Sequence, residues 1–278
     1  MIIDGRALAQ KIYEDIQSKN IPNPRLAIIL ANDDESSKKY TELKKKAGEK
    51  IGINVDIYTY NTAVQKEEII NKIEELNWDN NCNGIVVQLP LFSHLETSTS
   101  EILDTIDPQK DADGLTSFSL ASSFYFNENS ILPAAVEAVM ISLEQVMPLK
   151  ELIGKNVLII NNSNLVGNPL AIALSKLNAT VTIAHEYTKD LKSLLSNADV
   201  IISATGVTNI ISAKDIKEDS ILIDITSVSK NGIVLGDFVY DEILKSKAKA
   251  YTPVPGGIGP LTVASLFKNL IKLIQING

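Results

Sequence analysis

Tyr40 and Lys44 stand four residues apart in the stretch Ser37-Lys-Lys-Tyr-Thr-Glu-Leu-Lys44. On a helix this spacing sets a phenol ring and an ammonium side by side on one face. A lysine partly desolvated beside an aromatic ring loses its proton more easily and can serve in acid–base chemistry. The other reading is a solvated lysine in a basic helix, because Lys38, Lys39, Lys45 and Lys46 surround it. Gln88 closes the apolar run Gly84-Ile-Val-Val-Gln88, ahead of Leu89-Pro-Leu91. The carboxyl end of a parallel strand is where α/β proteins place ligand groups. Lys110-Asp-Ala-Asp-Gly114 offers two carboxylates, Asp111 and Asp113, that could bind a cation or the donors of a heterocycle. Turn chemistry alone also explains Asp and Gly in such a segment.

Two further segments could approach a ligand with their backbone. The apolar run 156–160 leads into Asn161-Asn-Ser-Asn-Leu-Val-Gly-Asn-Pro169. A strand, a polar glycine-containing loop and a helix form the layout of a dinucleotide site, with phosphate over the helix N-terminus. The first glycine of GxGxxG is absent here. Pro253-Val-Pro-Gly-Gly-Ile-Gly-Pro-Leu-Thr262 suits either a rigid loop closely approaching a ligand or a plain interlobe linker.

The elements that must position these residues read as alternating strands and helices. Leu8, Ile12 and Ile16 mark a helix over 6–18 that Asp4 can cap. Strands are expected at Arg25–Leu30, Ile53–Tyr60 and Gly84–Gln88. Helices are expected from Ser36 or Ser37 to Ile51 along a Tyr40, Leu43, Ala47, Ile51 stripe, at Lys66–Leu76 and over 97–106. Ser, Phe and Asn crowd 115–132, read as a connection between lobes, before a helix over 134–147. The alternation restarts with strands at Asn156–Ile160, Thr180–Ala184, Val200–Ala204 and Ser220–Asp224, and helices over 167–177 and 189–196. These runs are apolar rather than alternating, as in parallel strands covered on both faces. A last apolar-periodic helix over 262–278 is expected to return to the first lobe.

The 278 residues carry 26 Lys and Arg against 34 Asp and Glu, a formal charge of −8, with 45% hydrophobic residues. An acidic chain without a basic run is a poor candidate for nucleic acid or an anionic membrane surface. No apolar stretch reaches the roughly 20 residues that span a bilayer. Met-Ile-Ile-Asp-Gly-Arg lacks the layout of a signal peptide, so a cytoplasmic protein is expected. One cysteine, Cys82, excludes an internal disulfide, and with His94 and His185 leaves too few ligands for zinc.

Ser37-x-x-Tyr40-x-x-x-Lys44, Gln88-Leu-Pro-Leu91, Lys110-Asp-Ala-Asp-Gly114, Asn178-Ala-Thr-Val-Thr182 and Pro253-Val-Pro-Gly-Gly-Ile-Gly-Pro260 occur in this order along essentially the whole chain. Together they resemble the methylenetetrahydrofolate dehydrogenase/cyclohydrolase family. The resemblance implies two α/β lobes, an N-terminal folate lobe of 1–131 plus 262–278 and a Rossmann-like cofactor lobe of 132–261, joined as a homodimer. It implies oxidation of 5,10-methylenetetrahydrofolate by a nicotinamide cofactor, NAD or NADP, then hydrolysis of the methenyl product to 10-formyltetrahydrofolate. By the same resemblance Lys44 is central to hydrolysis and Gln88 tunes its amine. Tyr40 stacks on the folate, Asp113 binds the pterin's amino edge, and Pro255, Gly256, Gly257 and Ile258 line the pocket. The implied cofactor residues are Asn161, Asn162, Ser163, Val166, Gly167, Glu186, Thr205, Gly206, Thr226 and Ser227.

The chain departs from the family pattern mainly in the cofactor lobe. Pro-Cys-Thr-Pro is Pro133-Ala-Ala-Val136 here, Gly-Arg-Ser is Asn161-Asn162-Ser163, Glu186 replaces a serine, and Asp-Val-Gly-Ile is Asp224-Ile-Thr-Ser227. A folate-binding or regulatory homologue with weakened redox activity is therefore an alternative, and a dehydrogenase of another small substrate a further one. Glu186 lies 23 residues after Ser163. An acidic residue near that separation accepts the ribose 2′-hydroxyl and repels a 2′-phosphate, which favours NAD over the NADP usual in the family. Lys189 or Lys192 could restore phosphate binding.

Overall fold

The structure, a computed structural model, describes residues 1–125, 129–230 and 232–277. Residues 126–128 of the connection read over 115–132 lie outside the described residues, as does Gly278 at the end of the last helix. The chain folds as two α/β units: Gln10–Ala134 with Val263–Gly278, and Met1–Ala9 with Ala135–Thr262.

The chain opens with α1 (Gly5–Ser18), β1 (Arg25–Leu30), α2 (Glu35–Lys50), β2 (Asn54–Thr59), α3 (Lys66–Trp78) and β3 (Gly84–Gln88). It continues through α4 (Thr99–Asp104), α5 (Ser117–Ser123) and α6 (Ala134–Glu144). The first unit holds a parallel sheet of order β2-β1-β3, with Leu30 opposite both Thr59 and Gln88. Successive residues of β1 face opposite sides. Leu26 and Ile28 meet Phe267 and Leu270, whereas Ala27 and Ile29 meet Ile69 and Ile73 of α3. Each such fully buried Leu, Ile or Phe contributes about 1.5–3 kcal/mol.

Asp4 caps α1, its carboxylate accepting from the N–H groups of Arg6 and Ala7. The expected helix over 97–106 is a 3-10 turn, Ser93–Ser98, followed by the short α4. The segment read as a connection contains α5, which lacks an apolar period and is held by its cap: Thr116 Oγ1 accepts from Ser119 N–H. Capping can define a short helix where periodicity gives no signal.

The second unit runs β4 (Asn156–Ile160), α7 (Gly167–Lys176), β5 (Thr180–Ala184), α8 (Leu191–Asn197), β6 (Val200–Ser203) and β7 (Ile221–Asp224). A hairpin of β8 (Val228–Lys230) and β9 (Ile233–Leu235), then α9 (Tyr240–Ile243), β10 (Ala250–Tyr251) and α10 (Ile258–Asn277) follow. Apart from the antiparallel hairpin, its strands form one five-stranded, all-parallel sheet in the order β10-β7-β6-β4-β5. Leu158, Ile160, Leu195, Ile201, Leu222 and Phe238 fill one side. The expectation of strands covered on both faces fails at β5, an edge strand with Thr180 and Thr182 exposed.

Met1–Ala9, read from sequence with the first lobe, belongs with this unit. Ile3 N–H donates to Tyr251 O at 2.8 Å, and Tyr251 N–H to Met1 O at 3.0 Å. The last helix starts at Ile258, before the expected 262. Pro260 falls in its first turn, where a missing N–H costs nothing. Beyond Thr262, α10 packs Leu266, Phe267, Leu270 and Leu273 into the three-stranded unit. No described helix is long and apolar enough to cross a membrane.

Candidate active site

Helix α2 opens at Glu35, a residue or two before the expected serines, and Asp34 caps it, its carboxylate accepting from Ser37 N–H at 2.7 Å. Of the expected stripe Tyr40, Ala47 and Ile51 do pack against the core, but the most buried face of α2 is another one. Ser37, Thr41, Lys44 and Gly48 face inward, whereas Leu43 is 57% exposed. The small Ser37, Thr41 and Gly48 bring this face close to its neighbours and carry Lys44 into the interior, 4% exposed, while Lys39 and Lys46 stay in solvent.

Lys44 Nζ donates to Gln88 Oε1 at 3.0 Å and lies 5.1 Å from the centre of the Tyr40 ring. Gln88 uses its amide N–H on Leu89 O at 2.9 Å, so its oxygen is the group turned to the lysine. Burial pushes the Lys44 amine below the ordinary lysine value, and the charge of Asp113 pulls it partly back. Burial likewise pushes the Asp113 carboxyl up; Lys44 opposes this shift and Asp111 reinforces it. Four of the residues named from sequence, Tyr40, Lys44, Gln88 and Asp113, therefore share one site.

The Lys110–Gly114 segment divides its labour. Lys110 Nζ donates to the carbonyls of Leu76, Asn77 and Asp79 and so closes the C-terminus of α3. The buried Asp111 carboxylate accepts from the N–H groups of Gly114, Leu115 and Thr116. Both are occupied in shaping the turn, which leaves Asp113 as its carboxylate for a ligand. Asn269 of α10 fixes the backbone beside it, donating to Ala112 O and Leu132 O.

In the five-stranded unit, successive crossovers leave β4 on opposite sides, so β4 and β6 flank a topological switch point, the usual ligand crevice of an open α/β sheet. Asn161 spans it, donating from Nδ2 to Ala204 O at 2.8 Å. Its Oδ1 accepts from Ser163 N–H, Ser163 Oγ and Gly167 N–H. A Cβ at Gly167 would lie 2.0 Å from Asn161 O, so only glycine lets α7 begin this close to the strand. The strand, the loop and this close helix start fit a dinucleotide, with one difference: Asn161 occupies the Gly167 N–H at the helix N-terminus. Asn162 and Val166 lie in the same loop, and Val166 N–H donates to Ser163 Oγ.

Thr205 and Gly206 follow β6, Thr226 and Ser227 follow β7, and Gly206 N–H donates to Thr226 Oγ1 at 3.0 Å. Glu186 is exposed two residues beyond β5; Lys192 is ion-paired with Asp215 at 3.8 Å. Pro255, Gly256, Gly257 and Ile258 belong to this unit as well: Pro255 follows a cis peptide, Gly256 has φ +112, and Ile258 opens α10. Asp224, expected only as a strand end and part of a departing block, and Asp237, not expected at all, are two carboxyl groups buried beneath these loops. A charged residue ending the wholly apolar run Ile221-Leu-Ile-Asp224 is the signal that marks the first of them.

A buried lysine site in one α/β unit and a Rossmann-type parallel sheet in the other define an enzyme of the dinucleotide-binding α/β class. Known proteins narrow this further. The family model for the tetrahydrofolate dehydrogenase/cyclohydrolase catalytic domain matches residues 3–113, and that for its NAD(P)-binding domain matches 133–277. The chain belongs to the tetrahydrofolate dehydrogenase/cyclohydrolase family. It is 40% identical to the bifunctional protein FolD of Lactobacillus gasseri over 280 residues, covering 99% of this chain and 97% of that protein. The bifunctional FolD structure from Campylobacter jejuni superposes with a TM-score of 0.93 at 35% identity, covering 100% and 99% of the two chains. A Trypanosoma brucei FolD complexed with NADP and an inhibitor gives a TM-score of 0.91 at 29% identity, covering 100% and 98%.

Proposed function

We propose that this chain oxidises 5,10-methylenetetrahydrofolate with a nicotinamide cofactor and hydrolyses the resulting 5,10-methenyl cation to 10-formyltetrahydrofolate, in the cytoplasm and as a homodimer. The observation that carries the hydrolytic half is the buried Lys44 amine held on Gln88 Oε1 at 3.0 Å. Water adding to the cationic carbon must lose a proton, and a neutral amine can take it. Burial favours that neutral form, and it also spares the cationic substrate a like charge. Ring opening then needs a proton on the departing ring nitrogen, which the Lys44 ammonium returns as the carbon–nitrogen bond breaks and the hydroxyl proton leaves. One proton is released to solvent overall. Gln88 Oε1 steadies the ammonium between these transfers.

Tyr40 supplies a ring face for the folate, and Asp113 a carboxylate for its pterin amino edge. In the redox half, bound nicotinamide accepts hydride from the methylene carbon. The residues that would hold the cofactor are Asn161, Asn162, Ser163, Val166 and Gly167 around the start of α7, with Thr205, Gly206, Thr226 and Ser227. Pro255, Gly256, Gly257 and Ile258 would contribute to the folate pocket.

The Trypanosoma relative was solved with NADP, yet the preference proposed for this chain is NAD. Support comes from Glu186, an exposed acid two residues past β5 at the separation from Ser163 expected of a ribose 2′-hydroxyl partner, and from Lys192 being engaged with Asp215. A second reading, folate binding with weakened redox activity, is favoured by the Asn161 side chain occupying the Gly167 N–H. Oxidation of methylenetetrahydrofolate followed spectrophotometrically with NAD and NADP in parallel tests both. Methenyl formation with NAD supports the bifunctional enzyme; folate binding with no turnover on either cofactor supports the second reading.

A further inference from the structure

Asp224 ends β7 and is 1% exposed; Asp237, after β9, is fully buried. Asp224 Oδ2 accepts from the N–H groups of Asp237 at 2.8 Å and Phe238 at 3.2 Å, and Oδ1 from Thr226 N–H at 3.0 Å. Asp237 Oδ2 accepts from Ser203 Oγ at 2.5 Å and Thr205 N–H at 2.8 Å. The two carboxyl groups thus grip the first residues of both loops proposed for the cofactor, and Gly206 N–H on Thr226 Oγ1 ties those loops to each other. A Cβ at Gly236 would stand 2.2 Å from Asp224 Oδ2, so only glycine leaves room there for the Asp224 carboxyl.

The cluster carries negative charge without a cation. Its titratable groups are Asp224 from β7, Asp237 from the segment after β9, Tyr240 from α9 and Tyr251 from β10. Neither carboxylate is ion-paired among the described residues. The Tyr240 hydroxyl lies 2.8 Å from Thr252 O and 3.1 Å from Asp224 Oδ2; with one proton it can donate to only one of them. Asp237 Oδ1 is buried and has no hydrogen-bond partner among the described residues. Asp224, buried without a cation and facing the Asp237 charge, is stabilised by keeping its proton.

We propose that Asp224 is a proton-holding carboxyl that, together with Asp237, positions the Thr205–Gly206 and Thr226–Ser227 loops, so that nicotinamide dinucleotide binding is coupled to protonation of Asp224. The proposal rests on the cofactor assignment made above. Both acids are positioning residues: they hold the backbone of the loops. Loss of the Asp224 proton adds a negative charge beneath the loops, beside Asp237, and opposes an anionic dinucleotide. Affinity therefore falls as pH rises. The Asp224 carboxyl is pushed up to about 7 by burial and by Asp237, which puts the change near neutrality.

Two measurements on the full chain test this. Aspartate carboxyl carbons are followed by NMR in the unliganded protein, and NADH and NADPH binding is followed by fluorescence from about pH 6 to about pH 8. Linkage of one proton allows at most about a tenfold change per pH unit. In the wild type, a carboxyl should titrate near neutrality and NADH affinity should weaken several-fold across that range. Asp237→Asn keeps an amide oxygen for Ser203 and Thr205 but removes the charge facing Asp224, and should lower the carboxyl midpoint and move the affinity change to lower pH with it. Ser203→Ala, which removes one donor from Asp237, should raise the carboxyl midpoint and shift the affinity profile with it, and serves if Asp237→Asn does not fold. The proposal is overturned if every wild-type aspartate titrates in the ordinary acid range, or if the affinity profile is the same in the variants. Absence of NADH and NADPH binding to the wild type at every pH would instead overturn the redox half of the proposed function and remove the coupling, while the carboxyl titration still reads Asp224.

Discussion

Lys44 Nζ stands 3.0 Å from Gln88 Oε1, which joins the middle of α2 to the last residue of β3. A neutral oxygen at that distance holds the amine without charging it. An ionised oxygen would do the reverse, because an opposite charge in contact favours the ammonium.

Gln88→Glu should therefore keep Lys44 protonated and slow methenyl hydrolysis near neutral pH by about tenfold or more. In the wild type the hydrolysis rate should rise with pH as Lys44 loses its proton, with a midpoint below the 10.5 of an ordinary lysine. In the variant the midpoint should move upward. A pH–rate profile of methenyl decay for both proteins checks this.

Asp113 is free of the turn contacts that occupy Asp111. Charge-assisted hydrogen bonds contribute about 1.5–3 kcal/mol, so Asp113→Asn should weaken folate binding roughly 10- to 100-fold. Calorimetry with tetrahydrofolate measures it, and NADH affinity should change far less.

Asp224 gives a pH dependence of stability. Its carboxyl is raised from 3.8 to about 7 by burial and by Asp237. The folded protein keeps a proton that the unfolded chain releases, so this contribution is complete below the unfolded value and is lost as pH rises through about 7. Each unit of difference carries about 1.4 kcal/mol. Asp224→Asn should flatten the fall in Tm between about pH 4 and pH 7.

Glu186 is exposed two residues past β5 and is the residue proposed to set the cofactor preference. Glu186→Ser should shift the ratio of kcat/KM for NAD over NADP toward NADP by about tenfold. An unchanged ratio would mean that Glu186 does not meet the ribose.

What was legible in the sequence follows from what repeats locally. Gln88 could be placed at a ligand-facing strand end because Gly84–Val87 is unbroken apolar chain. Lys44 could not be placed inside, because its neighbours in sequence are lysines. Its burial follows from Ser37, Thr41 and Gly48, small residues on a face that no hydrophobic stripe announces. The same weakness led to Leu43, 57% exposed, being read as core. Helix α5 escaped because a cap rather than a period defines it, and β10 because two residues leave no pattern. Asp224 and Asp237 stand 13 residues apart with a hairpin between them, and only the fold brings them into one cluster.

The most direct test of the account is the fate of the methenyl intermediate in Lys44→Met. The variant replaces a buried amine with an apolar chain of similar length, so it should fold with a Tm equal to or above that of the wild type. Given methylenetetrahydrofolate and NAD, it should form the methenyl chromophore and accumulate it. Its hydrolysis should be slower by about 100-fold or more, the usual range for loss of a proton-transfer group. Methenyl decay at the wild-type rate in this variant would contradict the role given to Lys44 and with it the central claim.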